Sequence, residues 1–317
     1  MSWERDPLWA KAKLFFQHAL NTDRDDPVFG LWCSLGMELL ARAALASVSP
    51  TLLAQPESNQ RNLLHVVHPD SELLFPKSIS ATLVFDLCGR MFPAFTDDDR
   101  KVASALLNRR NAELHSGAAA FQQYQPSQWL AGFYRACHSL ATVLDQSLED
   151  LFGETEAKFA QDLLAENRKN IKQKVLSTIA AHKKVFDGRI ATEQEEARRA
   201  AAKLGEDLST QRHHRVICPA CGCTAMVQGR PFGKEHVTHG DDDEIIVKQA
   251  VSPTEFACSA CELHLSTFAE LEVAGVADHY TRTTMCSADE YYGLIHPDDV
   301  DSYLAAQAED FMGYDNE

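Results

Sequence analysis

The sequence predicts a mainly α-helical protein that ends in a small α+β domain, and three observations support this. Apolar residues recur at helical spacing through roughly the first half of the chain. The segment after them is rich in Ala, Glu, Lys and Arg and contains no proline, and short β-like runs occur only beyond residue 210. With 317 residues, the chain is long enough for about two domains. We predict a helical bundle at 1–153, a helical connector at 154–210 and the small domain at 211–317.

Five helices are expected in the N-terminal bundle. They cover about 8–20, 28–49, 78–91, 97–115 and 128–151. Thr96 precedes three aspartates, which is typical of an N-cap followed by a carboxylate-rich first turn, and Gly117 is suited to end that fourth helix. The fifth helix is the most regular because its apolar residues form one stripe. These residues are Leu130, Phe133, Cys137, Leu140, Leu144, Leu148 and Leu151.

The connector favours one long helix or a helical hairpin that breaks at Gly188. Its apolar residues recur at spacings of four and seven, while the rest of it is polar. The connector therefore either packs on another helix, which could be its own copy in a second subunit, or is a solvated spacer.

The C-terminal segment mixes strands and helices. We expect β-like runs at about 224–230, 244–251 and 254–257, with a solvated hairpin turn at 240–244. A helix at 266–273 should end at Gly275. A last helix is expected at 297–308, before an acidic tail.

The net charge of −16 is unevenly distributed. Residues 1–150 hold 13 Lys and Arg against 17 Asp and Glu, residues 151–210 hold 11 against 10, and residues 211–317 hold 6 against 19. The nets are therefore −4, +1 and −13. Because so acidic a segment repels phosphate, the C-terminal third is a poor candidate for nucleic-acid binding, and any such contact belongs upstream.

The composition, 45% hydrophobic and 24% charged, is that of an ordinary folded protein. Charged residues interrupt the apolar runs, and no eighteen apolar residues follow one another. We therefore expect neither a signal peptide nor a membrane span, and a cytoplasmic location. The nine cysteines should then be reduced, so a pattern among them indicates metal binding rather than disulfides.

Two CxxC pairs predict a zinc site in the C-terminal domain. Its ligands would be Cys218, Cys221, Cys258 and Cys261. Four thiolates complete a tetrahedral Zn²⁺ site with no open position, so the ion should be structural, as in a zinc ribbon. Cys223, His213 and His214 remain alternative ligands. Zinc thiolates add negative charge, so this acidic ribbon should contact protein rather than nucleic acid.

A second cluster lies at the end of the fourth helix, in the run Arg110-Asn111-Ala-Glu-Leu114-His115. Leu107 and Leu114, seven residues apart, define an apolar stripe, and Arg110 and Asn111 lie three and four residues after Leu107 on that same face. A cation on such a stripe needs a partner, and Glu38 of the second helix is the candidate carboxylate.

Arg-Asn-x-x-x-His late in the fourth helix of an all-α bundle resembles the HEPN domain, whose active members carry Arg-x(4 to 6)-His. Arg110 and His115 match this motif with four residues between them, and Arg109 and His115 match it with five. The resemblance covers about residues 5–152. It implies a homodimer in which two motifs face each other, and often a metal-independent endoribonuclease of toxin, RNA-processing or antiphage defence systems.

The residue types are consistent with RNA cleavage without a metal ion. The 2′-OH of RNA can attack its own phosphate if a base removes its proton and a cation stabilises the transition state. His115 would be the base or acid, Arg110 the cation, and Asn111 would orient the substrate or the imidazole. Arg110 and His115 are about 140° apart around a helix, so two copies would have to supply one site.

Less specific interpretations stay open beside this one. Arg110 and Glu38 could form only a structural ion pair, and inactive HEPN domains exist, so the chain could be a dimeric adaptor whose ribbon recruits a protein partner. The lysine-rich helix at 167–184 could contact RNA phosphate or be a solvated face. Phosphate-binding glycine loops, nucleophile elbows and carboxylate-rich metal sites are not visible, which argues against most NTPases, hydrolases and metallonucleases.

Overall fold

The computed structural model describes residues 3–68, 76–209, 213–240 and 244–293. Helices dominate this part of the chain, as predicted. They are α1 (Arg5–Leu20), α2 (Pro27–Val48), α3 (Arg61–Val67), α4 (Ala81–Met91), α5 (Asp97–His115), α6 (Pro126–Val143), α7 (Leu148–Phe152), α8 (Glu154–Asp187), α9 (Ala191–Ser209), α10 (Phe268–Ala274) and α11 (Ala288–Tyr292). The predicted helix at 297–308, the acidic tail and the tip of the predicted turn at 241–243 lie outside the described residues.

Helix α2 is the centre of the N-terminal core. It contacts α1, α4, α5 and α6, and twelve of its residues are buried. A glycine is needed at Gly36 because a Cβ there would lie 2.4 Å from the Phe16 ring of α1. The close approach of α1 and α2 therefore depends on this residue.

By length and hydropathy, α2 is also the one described helix that could cross a membrane. Most of that apolar window, 61%, is buried inside the fold, as in the core helix of a soluble protein, so this is weak evidence for a span. Glu38 and Arg42 interrupt the apolar run of this helix, so the sequence did not predict a membrane span here.

The bundle departs from the predicted helices in two places. The expected fifth helix is two helices, because α6 ends at Val143 and Asp145 adopts a left-handed backbone with φ 57°. Ser147 then begins α7 with a capping box to Asp150. A short helix, α3, was not predicted at all. In contrast, Thr96 caps α5 through Asp99 as expected.

The connector consists of α8 and α9, with Gly188 in the break between them. The start of α8 belongs to the bundle core, where Ala160 is fully buried. Farther along, Val175 and Phe186 join a second core together with Ala201 of α9 and the C-terminal domain. The connector is therefore packed against both parts of the molecule over its length.

The C-terminal domain has a five-stranded antiparallel sheet. Its strands are β1 (His214–Ile217), β2 (Thr224–His239), β3 (Glu244–Ala257), β4 (His264–Leu265) and β5 (Tyr280–Ser287). They follow the order β1-β2-β3-β4, and β5 also pairs with β3. The runs expected at 244–251 and 254–257 are one strand, and β1 and β5 were not predicted. The helix before Gly275 is present as α10, and Gly275 adopts the left-handed conformation with φ 72°.

The sheet contacts the bundle at the start of α5. The carboxylate of Asp97 lies 2.9 Å from Nε of Arg230 on β2. The neighbouring Asp98 accepts a hydrogen bond of 3.4 Å from the backbone N–H of Ala269 in α10. The C-terminal domain therefore contacts the first turn of α5, whereas Arg110 and His115 lie at the other end of that helix.

Candidate functional site

The two CxxC pairs meet in one cluster. The Sγ atoms of Cys218 and Cys261 lie 3.6 Å apart, and so do those of Cys221 and Cys258. All four Sγ atoms are within 4.8 Å of one another. Zn–S bonds of about 2.3 Å in a tetrahedron place the sulfur atoms about 3.8 Å apart. The cluster could therefore hold a metal ion, and its geometry is consistent with Zn²⁺.

Matching turns bring the cysteines together. In the first turn the N–H of Gly222 donates to the carbonyl of Cys218, and in the second the N–H of Glu262 donates to the carbonyl of Cys258. Gly222 has φ 71° and Glu262 has φ 61°, so both close their turns in the left-handed conformation. Glu262 makes this turn without the freedom that glycine has.

The surroundings of Cys261 disfavour its free thiolate form. Burial raises the pKa of the Cys261 thiol to about 12. A bound cation would reverse this preference, because metal ligation requires and stabilises the thiolate form. The alternative ligands Cys223, His213 and His214 do not belong to the four-sulfur group that the described residues form. His214 instead stacks on Tyr280 with ring centroids 4.4 Å apart.

The connector supports the second CxxC turn from outside. Nδ1 of His182 on α8 lies 2.6 Å from the carbonyl oxygen of Cys261, to which it must donate. Arg189, in the α8–α9 turn, donates to the carbonyl of Ala260 at 2.7 Å. No local sequence signal marked these two supporting residues, because both contacts join positions more than 70 residues apart.

Arg110 lies on α5 in an ion network with α2. Its guanidinium is 3.1 Å from Glu38, whose carboxylate also lies 2.8 Å from Arg42. Arg42 in turn donates to the carbonyl of Ile79 at 2.9 Å. The side chains of Arg110 and Glu38 are mostly buried, at 17% and 16% exposure. The predicted pairing of these two residues is present.

One donor of Arg110 is left over in this network. Its Nε is buried and has no hydrogen-bond partner within the described part of the chain. A buried donor without an acceptor costs free energy, which an oxygen from water or a ligand would recover.

Asn111 and His115 lie one turn apart on the exposed side of α5. The sequence placed both Asn111 and Leu114 on the buried stripe, but both are exposed, Leu114 to 51%, so that expectation was wrong. The buried stripe ends at Leu107, the last buried residue of α5, and Arg110 is partly buried one turn later. A face with Asn111, Leu114 and His115 is therefore open to solvent.

The segment after α5 is fixed by contacts from Glu113 and Arg109. Glu113 accepts from the backbone N–H of Ala120 at 2.7 Å. Arg109 lies 4.6 Å from the ring centroid of Tyr124 in a cation–π contact. This contact holds Arg109 against the loop rather than beside Arg110.

The two clusters can do different chemistry. Four sulfur ligands leave a metal ion no open position, which suits a structural role. The end of α5 offers an exposed imidazole and a guanidinium, which are groups suited to proton transfer and to stabilising negative charge. Comparison of the chain with protein-family models, curated proteins and solved structures gave no match.

Proposed function

We propose that this chain is a metal-independent HEPN-type endoribonuclease that acts as a homodimer and carries a structural zinc ion. The observation that supports it best is the placement of Arg110, Asn111 and His115 on the last two turns of α5. Arg110 is held by Glu38, while Asn111 and His115 are open to solvent. This combines an anchored cation with an accessible proton-transfer group.

The reaction follows from these groups. The imidazole of one His115 takes the proton of the RNA 2′-OH, and the 2′ oxygen attacks the adjacent phosphorus. The bond to the 5′ oxygen breaks, and that oxygen takes a proton from the protonated imidazole of the other copy. Arg110 stabilises the extra negative charge of the transition state. The products are a 2′,3′-cyclic phosphate and a 5′-hydroxyl.

A homodimer supplies the second set of groups. On one helix, Arg110 and His115 point about 140° apart, so a single copy converges poorly on one phosphate. Leu114 lies between them in sequence and is half exposed, which suits an apolar contact with its counterpart in a second subunit.

The zinc ion would staple the C-terminal domain and take no part in cleavage. Cys218, Cys221, Cys258 and Cys261 would hold it as thiolates. The acidic ribbon would then contact a protein partner or restrain the nuclease. We place the protein in the cytoplasm as a toxin or antiphage defence effector, in which uncontrolled RNA cleavage would have to be suppressed.

A non-catalytic adaptor is the second candidate, and one observation favours it. Glu38 bridges Arg110 and Arg42 in a mostly buried network, and such a network is often purely structural. In that case the bundle dimerises and the ribbon recruits another protein.

The deciding experiment is cleavage of mixed structured and single-stranded RNA without magnesium. Wild type is compared with Arg110→Ala/His115→Ala and with the control Arg199→Ala/His138→Ala, whose side chains are exposed elsewhere. We expect products with 2′,3′-cyclic phosphate ends from wild type and the control only. A lane without chelator accompanies the EDTA lane because EDTA can remove zinc.

Two outcomes contradict the nuclease. One is equal cleavage by the motif variant, which would point to another site or a contaminant. The other is no cleavage together with equal growth of cells that express wild type and His115→Ala protein. That result favours the adaptor.

A further inference from the structure

Helix α8 has a run of positive charge that neither cluster uses. Residues 167–186 contain six Lys and Arg and no Asp or Glu. The whole chain has a net charge of −16, so the remainder of it has a net of −22. This segment is therefore the most concentrated positive charge on an otherwise acidic protein.

All six of these cations are exposed, and the five other than Lys174, which pairs with Glu270, form what we call the basic strip. Its members are Arg168, Lys169, Lys172, Lys183 and Lys184. The lysine ion pairs that α8 makes within the described residues involve other positions, namely Lys158 with Asp162 and Lys174 with Glu270. The five strip residues therefore form no ion pair with the described part of the chain.

The helix fixes the geometry of the strip. At 100° and 1.5 Å per residue, its members span about 160° of the helix circumference and about 24 Å of its length. Helix α8 is continuous from Glu154 to Asp187, and Val175 and Phe186 anchor it to the C-terminal core with 1% exposure each. The charges are therefore held in a row on a rigid support.

We propose that the basic strip binds the phosphate backbone of RNA, as a docking surface separate from the motif at the end of α5. The choice of RNA as the polyanion rests on the proposed ribonuclease function. Rows of Lys and Arg bind phosphates without reading sequence, and the net negative charge of the remainder of the molecule disfavours phosphate there, so the strip is the surface that favours docking of RNA. An anionic membrane fits less well because the apolar side of α8 is already used in the protein core.

The test measures binding of a single-stranded RNA of roughly 20 nucleotides to the full chain by fluorescence anisotropy. All proteins carry His115→Ala so that cleavage does not interfere. Lys169→Gln/Lys172→Gln/Lys183→Gln removes three strip charges. The control Lys11→Gln/Lys158→Gln/Lys203→Gln removes three exposed charges from other places. Glutamine is a good helix former, so both variants should fold.

We expect the strip variant to bind about a hundredfold more weakly near 0.1 M salt and the control to bind nearly as the parent does. The slope of log affinity against log salt should fall by about 2 in the strip variant, since each lost contact to single-stranded RNA removes about 0.7. Equal affinities and salt slopes in all three proteins would contradict the proposal that the basic strip binds RNA. So would equal losses in both variants, or binding to vesicles of anionic phospholipid without binding to RNA.

The outcomes also separate this inference from the proposed function. RNA binding that depends on the strip supports the strip, and it contradicts the nuclease if wild type neither cleaves RNA nor slows growth more than His115→Ala does. If the strip substitutions change neither cleavage nor RNA binding, the nuclease proposal stands and the proposal that the strip binds RNA is contradicted.

Discussion

Glu262 occupies, in the second CxxC turn, the position that Gly222 occupies in the first. Both residues have positive φ, which costs a non-glycine residue about 1 to 2 kcal/mol. Replacing Glu262 by glycine would relieve this strain. Glycine loses about 0.5 to 1 kcal/mol more conformational entropy on folding, however, which offsets part of the gain in stability. We predict that Glu262→Gly stabilises the C-terminal domain by about 0.5 kcal/mol, measured as an upward shift of its denaturant midpoint.

Gly222→Ala is the matched opposite change. No atom lies within 4 Å of a Cβ built at Gly222, so the cost is backbone strain alone. We expect a loss of about 1 kcal/mol. A stabilising effect of Gly222→Ala would contradict the left-handed turn.

Glu38 neutralises two arginines at once. Removing its carboxylate leaves Arg42 and Arg110 with no carboxylate between them in a mostly buried setting. We predict that Glu38→Ala lowers the free energy of unfolding by about 2 to 3 kcal/mol, somewhat less than for a fully buried pair. Equilibrium urea unfolding measures this change.

The control for Glu38 is an exposed ion pair of the same kind. Glu195, half exposed, pairs with Arg199 on α9 at 3.0 Å. Because water screens such a pair, Glu195→Ala should cost under about 1 kcal/mol. Equal losses in the two variants would mean that the Glu38 network is no more than a surface contact.

At the level of elements, the end of α5 provides a test of the dimer. Leu114 is 51% exposed beside Asn111 and His115. We predict that Leu114→Glu converts a dimer to a monomer at micromolar concentration, because two copies would place the new charges against each other in an apolar contact. Light scattering gives the mass, and a wild-type mass near 35 kDa would contradict the dimer itself.

Leu14→Glu is the control for this change. Leu14 is 47% exposed on α1, so the substitution alters hydrophobic exposure to a similar extent at another surface. It should leave the mass unchanged. If Leu14→Glu dissociates the dimer and Leu114→Glu does not, the interface lies on α1.

The main helices could be predicted because their signals are local. The Thr96 cap, Gly275 and the stripe of α6 each act within one or two turns of chain. The break before α7 was missed because Leu144 and Leu148 continue the helical spacing across a turn. Strand β5 was missed because most of its side chains are polar and exposed, so it has no apolar alternation.

The candidate site was predictable to a similar extent. CxxC spacing already restricts cysteines to a turn, so the four-sulfur cluster followed from the sequence. The pairing of Arg110 with Glu38 followed from a charge on an apolar stripe. The exposure of Leu114 did not follow, because periodicity does not tell where a helix leaves its neighbour. The supports from His182 and Arg189 depend on tertiary contacts alone.

On the scale of the whole molecule, Asp97 joins the C-terminal domain to the bundle. Burial opposes its charge, but hydrogen bonds from Lys101 and Arg100 and the charge of Arg230 hold its pKa below the ordinary value. A carboxyl group with a lowered pKa stabilises the fold above its unfolded pKa, and this contribution is lost as the pH falls through the folded pKa. The contact between the two parts should therefore weaken in acid.

The two cores should respond differently to loss of metal. The bundle core contains none of the four clustered cysteines, whereas all of them lie in or against the second core. We predict that a strong chelator removes about one Zn²⁺ per chain and unfolds the sheet, while the bundle stays folded. Amide hydrogen exchange should then rise in β2 and β3 and remain slow in α2.

Cysteine variants make the same comparison without a chelator. Cys218→Ser should lose the zinc found by elemental analysis, and Cys286→Ser, at a cysteine outside the cluster, should keep it. Wild-type protein that is metal-free with a protected sheet would contradict the zinc site.

Because Val175, Phe186 and Ala201 pack into the second core, loss of zinc should also free the α8–α9 turn. The basic strip would then lose its rigid support although no residue of it binds the metal.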